Sequence, residues 1–543
     1  MFNPKLVALI SCSLVLSACG SDSDSNDNKT DVVEPTLTLN IQSKNYFTGD
    51  LIEGAMISVS STLNGAIVTN TGTTDSNGEL NISLPEDAQR IIVNGDADGY
   101  GEYSVIVTSD DQDINLFLQP SNLETSFDPN TEFTLDVSGL SIISLPANAF
   151  VDENGDAPTG DINAELTIID PSTDPELMPG NFETIDATTG EIGLIESFGA
   201  INATFNDAQG NSYNLAENQT ATIRIPLAAG STNPPATIPL YHFNEDTGYW
   251  DQEGTAMLSA EQTYYEGTVS HFSTWNADIL YESVQISGCL QDQSGSTVSN
   301  ARIQTQGVDY SGQAITYSNT DGTFSISAKS DATVFLSAFG SDGLSRTTTI
   351  STAQQDIVQD TCIVLEPGAA VVTLTWGESP NDLDTQFFGP SSAEGDDSFL
   401  VYYGNKNDGN AWLDVDDVSS YGPEVTTISS FPYAGRYSYA IYNYSNSGSI
   451  AASPARVELD YLDETTIFSP PAGEASLCWA VFDFVVDEQG AVTIEATGTW
   501  ETSDYCYAGE YASGATERSI SKTSLKEPSS ILKEMINTKY YAK

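Results

Sequence analysis

Short runs in which apolar and polar residues alternate, each closed by Gly, Asn or Asp, recur along this chain and restrict it to sheets. Leu37, Leu39 and Ile41 alternate, as do Ala55, Ile57 and Val59, then Leu80, Ile82 and Leu84, then Ile114, Leu116 and Leu118. A period of two places each set on one face of a strand, toward a core. Asp75-Ser76-Asn77-Gly78 supplies turn chemistry ahead of the third run. Helix signals are scarce, and Thr, Val, Ile, Tyr and Ser are common. The expected fold is all-β, several β-sandwich domains in series. At 543 residues the chain has room for several domains of about 100–200 residues each.

Residues 284–367 repeat the scheme of residues 36–120. Asn300-Ala-Arg-Ile-Gln-Thr305 matches Gly54-Ala-Met-Ile-Ser-Val59, and Asn319-Thr-Asp-Gly-Thr-Phe-Ser-Ile326 matches Thr74-Asp-Ser-Asn-Gly-Glu-Leu-Asn-Ile82. Ile363-Val-Leu-Glu-Pro367 matches Leu116-Phe-Leu-Gln-Pro120. Three landmarks in the same order point to a duplicated unit. Both copies resemble the carboxypeptidase-regulatory-like domain, a small transthyretin-like sandwich, and the resemblance implies a non-catalytic module.

Between them, residues 121–280 carry Leu145-Pro-Ala-Asn-Ala-Phe150, Met178-Pro-Gly-Asn-Phe182, Phe198-Gly-Ala-Ile-Asn-Ala-Thr-Phe205, Ile223-Arg-Ile-Pro-Leu227 and a run from Ile238 to Trp250. With His271-Phe-Ser-Thr-Trp-Asn-Ala-Asp278 they resemble the β-rich extracellular region of cartilage intermediate layer proteins. That likeness implies an extracellular sandwich region and no known chemistry. Residues 368–508 open on Val371-Val-Thr-Leu-Thr-Trp376, followed by Asp382-Leu-Asp384, Leu413-Asp-Val-Asp-Asp417, Gly422-Pro-Glu424 and Gly435-Arg-Tyr-Ser-Tyr439. That ordered set resembles YfaP-like domains of bacterial surface proteins, whose activity is itself obscure.

The N-terminus supplies an address. Lys5 and an apolar run ending Leu16-Ser17-Ala18-Cys19 form a secretory signal, residues 1–18, too short to span a bilayer. The ending resembles the lipobox of bacterial lipoproteins, which implies cleavage before Cys19 and acyl chains on it. Several acyl chains anchor stably, at about 0.8 kcal/mol per buried CH₂. Residues 19–35 read as a flexible acidic tether. Gly20 after the Cys implies, by the same resemblance, the outer membrane of a Gram-negative bacterium. Residues 509–543 break the pattern: six basic residues against four acids form a basic tail that is either disordered or folded back on the acidic body.

Elsewhere acids dominate. Asp and Glu number 77 against 17 Lys and Arg, a formal charge of −60. Such a field repels nucleic acid and attracts divalent cations, though solubility alone accounts for much of it. Cys289, Cys362, Cys478 and Cys506 remain after the signal and the lipidated Cys are set aside. In an oxidising compartment they are expected to pair, and Cys289–Cys362 with Cys478–Cys506 keeps each bond inside one domain.

Candidate chemistry gathers in the last domain. Ca²⁺ takes about 6–8 oxygen ligands, and carboxylates one residue apart on a loop can share an ion. Asp382 and Asp384 have that spacing, and Asp414, Asp416, Asp417 and Glu424 could complete the shell. The other reading is that these acids are solvated turn formers. Zinc is disfavoured, because histidine occurs only at His242 and His271, without H-E-x-x-H or a C-x-x-C pair. No G-x-S-x-G elbow is present, and His271, two residues from Ser273 on an expected strand, reads as structural. Trp412, Tyr442 and Tyr444 form an aromatic set that either stacks on a sugar or partner or pairs across strands.

These features point to a lipid-anchored, non-catalytic cell-envelope protein. Its modules in series would hold an acidic, Ca²⁺-stiffened distal domain away from the membrane, where it binds a surface glycan or an envelope protein. The rival readings are a carbohydrate-active hydrolase using carboxylates and an accessory lipoprotein of an outer-membrane transport system.

Overall fold

The computed structural model describes residues 36–108, 112–340, 343–367, 370–393, 398–462 and 464–508. Cys19, the signal, the tether and the basic tail lie outside the described residues. Within them are 39 strands, one six-residue helix at Ser503–Ala508 and two short 3₁₀ turns. The protein is an all-β, multidomain molecule.

The first unit packs two sheets. Strand Thr36–Asn45 lies between Glu79–Pro85, antiparallel to it, and Asp113–Leu118, parallel to it. The facing sheet runs Ala66–Thr73, Met56–Leu63, Gln89–Asp96, Tyr103–Val107. The alternating residues Leu39, Ile57, Val59, Leu84 and Leu116 meet between the sheets and are at most 1 % exposed. Each such side chain contributes about 1.5–3 kcal/mol by leaving water.

The unit at 283–366 has the same wiring. Strand Ser283–Asp292 lies between antiparallel Thr323–Lys329 and the parallel pieces Ile357–Val358 and Ile363–Leu365. The likeness extends to single bonds. Ser43 N donates to Gly78 O, and Leu290 N to Gly322 O. Ala55 N donates to Thr74 Oγ1, and Ala301 N to Ser318 Oγ. Gly78 and Gly322 both have positive φ (67° and 77°). A Cβ there would stand 2.9 Å from Ser43 O and 2.8 Å from Leu290 O, so only glycine closes either turn. Cys289–Cys362 is bonded within this unit.

Residues 123–280 form a sheet of eleven strands and a small two-stranded sheet, Phe150–Val151 with Asn214–Leu215. The larger sheet curls until its two edge strands, Leu123–Phe127 and Phe133–Val137, face each other, with the Phe127 and Phe133 rings stacked at 4.8 Å. The last unit packs two five-stranded sheets. One runs Ala411–Val415, Glu424–Ile428, Ala370–Thr375, Arg456–Tyr461, Glu464–Phe468; the other runs Ser398–Val401, Leu383–Pro390, Gly435–Asn443, Cys478–Val486, Val492–Glu501. The helix Ser503–Ala508 lies on the second sheet, tied to it by Cys478–Cys506.

The modules do not form an extended string holding a distal domain out. They close into a ring, and rare cations sit at the joints. Arg90 pairs with Glu183 at 3.0 Å, with its guanidinium 3.6 Å from the Tyr249 ring, joining the first unit to the eleven-stranded sheet. Lys329 reaches Glu196 at 2.7 Å and joins that sheet to the second unit. Arg346 binds Asp414, and Phe335 packs with Val371, Val415 and Val425, joining the second unit to the last. Arg456 of the last unit donates from Nε to Tyr46 O of the first at 2.8 Å, across 410 residues of sequence. The guanidinium also lies 4.3 Å from the Tyr46 ring, and Tyr46 Oη donates to Asp174 at 2.6 Å. Four of the nine Lys and Arg among the described residues thus bridge modules. Against an acid-rich background, a cation at each joint offsets repulsion that would otherwise drive the modules apart.

Candidate cation centre in the last sandwich

Three of the six acids singled out in the sequence converge. Asp384 comes from strand Leu383–Pro390, Asp416 from the loop after Ala411–Val415, and Glu424 is the first residue of Glu424–Ile428. One oxygen from each lies within 4.8 Å of the others. Asp384 and Glu424 are 0 % exposed. Thr385 N donates to Glu424 Oε2 at 2.5 Å, while Glu424 Oε1 and Asp416 Oδ1 have no hydrogen-bond partner among the described residues. Gln386, two residues beyond Asp384 on the same strand face, is fully buried, and neither amide atom is hydrogen bonded among the described residues.

The backbone is bent to deliver Glu424. Ser420, Tyr421 and Gly422 have φ of 80°, 69° and 81°, three successive left-handed residues. Tyr421 O accepts from Trp376 N at 3.1 Å, which fixes the loop to the neighbouring strand. Left-handed backbone at Ser and Tyr costs about 1–3 kcal/mol each and persists only where its surroundings enforce it.

Burial, then the charges of Asp384 and Asp416, push the Glu424 carboxyl well above the usual range. Burial also raises the hydroxyls of Tyr402, Tyr403, Tyr442 and Tyr507, and the Asp384 charge adds to each. Those hydroxyls therefore lie within electrostatic reach of Asp384. Lys406 Nζ meets Asp416 Oδ2 at 2.8 Å on the outer rim, its side chain 51 % exposed. One rim ammonium beside three carboxylates leaves the cluster under-neutralised. Such a set either holds a proton or takes a hard cation through oxygen ligands.

The remaining three acids are outside that close set. Asp414 belongs to the joint with the second unit: Arg346 Nε and Nη2 donate to its Oδ1 at 2.8 and 2.6 Å, and Thr427 Oγ1 to its Oδ2 at 2.7 Å. Asp417 accepts from Ser419 N at 2.8 Å as a turn former. Asp382 is 1 % exposed, and its charge raises the Asp417 carboxyl, after burial and against the Ser419 hydrogen bonds. The aromatic set is split between sheets. Trp412 faces the Arg346 guanidinium at 4.8 Å. Tyr442 is 4 % exposed beneath Tyr507, at 5.0 Å between ring centroids, and Tyr444 packs on Tyr403 at 5.2 Å. His271 stands in the bend before strand Thr274–Leu280, not on a strand. Lys406 and the left-handed loop gave no sequence signal beyond a lone cation and a Gly-Pro pair.

No family model matches the chain. Cartilage intermediate layer protein 1 of Sus scrofa is 25 % identical over 133 residues, 22 % of this chain and 20 % of that protein. The chain therefore spans about a fifth of the length of the curated relative it matches. Among solved structures, a protein of unknown function, SAV2460, is 16 % identical over 24 % of this chain and 91 % of its own, at a TM-score of 0.21. The major pilin subunit BcpA of Bacillus cereus is 9 % identical over 60 % of this chain and 99 % of its own, at 0.14. Shaft pilin SpaA of Lactobacillus rhamnosus GG is 8 % identical over 61 % and 98 %, at 0.12. Similarity of this order carries no activity or partner over to this chain.

Proposed function

We propose that this chain is a non-catalytic scaffold of the bacterial cell envelope, anchored through lipid on Cys19 in the outer membrane. In this reading its last sandwich is closed by Ca²⁺ held by Asp384, Asp416 and Glu424. One observation carries the metal: Glu424, 0 % exposed, aims an oxygen without a hydrogen-bond partner into a cluster of like charge. A hard cation satisfies that oxygen and cancels the repulsion together. The non-catalytic reading is supported by the burial of Asp384 and Glu424, both 0 % exposed and so withheld from a substrate in solution. The regulatory-like and YfaP-like resemblances fit a modular surface protein, and the ligand is a surface glycan or another envelope protein.

The experiment is thermal unfolding with chelator and with Ca²⁺. At a free concentration of about 100 times Kd, a site-bound ion adds about 2.7 kcal/mol of stability. Asp384→Asn combined with Glu424→Gln should abolish the response. Equal melting of the wild-type chain under both conditions rejects the metal. Separately, incorporation of labelled palmitate that disappears in Cys19→Ala tests the anchor.

A further inference from the structure

The two histidines of the chain, 29 positions apart in sequence, stand side by side. His242 lies on Thr237–Asn244, and His271 in the bend between Tyr264–Val269 and Thr274–Leu280. Their rings are 4.6 Å apart between centroids and nearly perpendicular. Glu253, on the adjacent strand Tyr249–Leu258, turns one oxygen toward both: Oε2 is 3.6 Å from His271 Nε2 and 4.0 Å from His242 Nε2. The ligand atoms of all three residues lie within 4.8 Å of one another. In a tetrahedral zinc site, bonds of about 2.0–2.2 Å place neighbouring ligand atoms about 3.3–3.5 Å apart. The free geometry is thus a slightly opened version of the bound one.

The supports around these three side chains are set. Ser270 Oγ donates to Glu253 Oε1 at 2.7 Å, fixing the oxygen that does not face the histidines. Trp275 Nε1 donates to His271 O at 3.0 Å, which pins the bend. The Trp275 indole, 1 % exposed, lies 5.4 Å from the His242 ring and 5.0 Å from the His271 ring, walling the inner side. The outer side is open: the three side chains are 19, 31 and 45 % exposed. Burial, then the neighbouring His242, lower the His271 imidazole.

We propose that His242, Glu253 and His271 bind a first-row divalent transition ion such as Zn²⁺ through two imidazoles and one carboxylate, with a further coordination position left to water or an outside donor. Two nitrogens and one oxygen suit Zn²⁺ or Cu²⁺ and are a poor match for Ca²⁺, which prefers oxygen alone. The site is therefore independent of the acidic centre of the last sandwich in both residues and metal. Open coordination makes it a capture or bridging point on the molecular surface.

The test is calorimetric titration of the full, tag-free chain with Zn²⁺, in a background of about 5 mM Ca²⁺ to fill all-oxygen sites. One saturable equivalent of Zn²⁺ is expected, and His242→Gln with His271→Gln should lose it. Asp384→Asn with Glu424→Gln should leave it unchanged. Because the chain has only two histidines, the N-carbethoxyhistidine formed by diethylpyrocarbonate reads this pair alone. Zn²⁺ should protect both rings, and Glu253→Gln, which keeps the surface strand intact, should weaken that protection. Undiminished Zn²⁺ uptake in the double histidine variant, or modification at the same rate with and without Zn²⁺, overturns the proposal.

Discussion

Two buried groups of carboxylates, one at the joint around Arg456 and one inside the last sandwich, solve the same electrostatic problem in opposite ways. Around Arg456, the acids Asp174 and Glu458 gather about a guanidinium that the chain itself provides, 3 % exposed and hydrogen bonded. Around Glu424, three acids gather with only a rim lysine. The first group carries its own cation and serves as a joint between modules. The second lacks one of sufficient charge, and a cation from solution is the natural complement. Acid clustering alone thus says little; what matters is whether the sequence also delivers a positive partner to the same place.

Removing the built-in cation should have the largest effect. Arg456→Met strands buried acids, and breaking such a pair costs about 3–5 kcal/mol. Denaturant unfolding should show that loss, and Ca²⁺ should not repair it. If Ca²⁺ restores Arg456→Met fully, the two groups are not distinct in kind.

The joint also predicts a pH dependence. Burial, followed by the Glu458 charge, raises Glu176 to about 8 and Asp460 to about 7. Both therefore bind protons in the folded state above their unfolded pKa values, near 4. Stability from these groups is fully present below pH 4 and is lost as pH rises through 7 and 8. Melting in chelator should accordingly be higher at pH 6 than at pH 8.5, and a flat profile between them contradicts the assignment.

Smaller effects belong to the second group. Without metal, Asp384→Asn with Glu424→Gln removes repulsion and should stabilise the sandwich by about 1 kcal/mol over the metal-free wild type. A loss of similar size in chelator would mean that the acids are structural hydrogen-bonding groups instead. Smallest is Lys406→Met. It deletes an exposed ion pair worth about 0–1 kcal/mol and clears Asp416 for the ion, so Ca²⁺ affinity should rise up to about fivefold, measured by calorimetry.

Local rules carried the sequence reading where the structure is local. The alternation of Leu37, Leu39 and Ile41, the Asn-Gly turn and its copy at Gly322, and the pairing of Cys478 with Cys506 all depend on near neighbours or on one module. Asp384, Asp416 and Glu424 were visible as acid-rich motifs, although Asp384 stands on a strand and not on the expected loop, and Glu424 opens a strand. Asp414, two residues before Asp416, was not separable from them: its partner Arg346 lies 68 residues upstream in another module. Tyr442 alternates correctly away from the core, yet a six-residue helix with no amphipathic pattern of useful length roofs it. The histidine pair was invisible for a related reason. His242 faces Trp275 through strand pairing, and no spacing rule links either residue to Glu253.

The hydrogen bond from Arg456 to Tyr46 has a mechanical consequence. In a chain of beads, tension applied between Thr36 and the last sandwich would pass through every module in turn. Here it meets that clasp first, and the other modules bear load only after the clasp gives way. A stretched molecule would therefore yield in one early, reversible extension before any sandwich unravels, lengthening its reach while its folded parts stay whole.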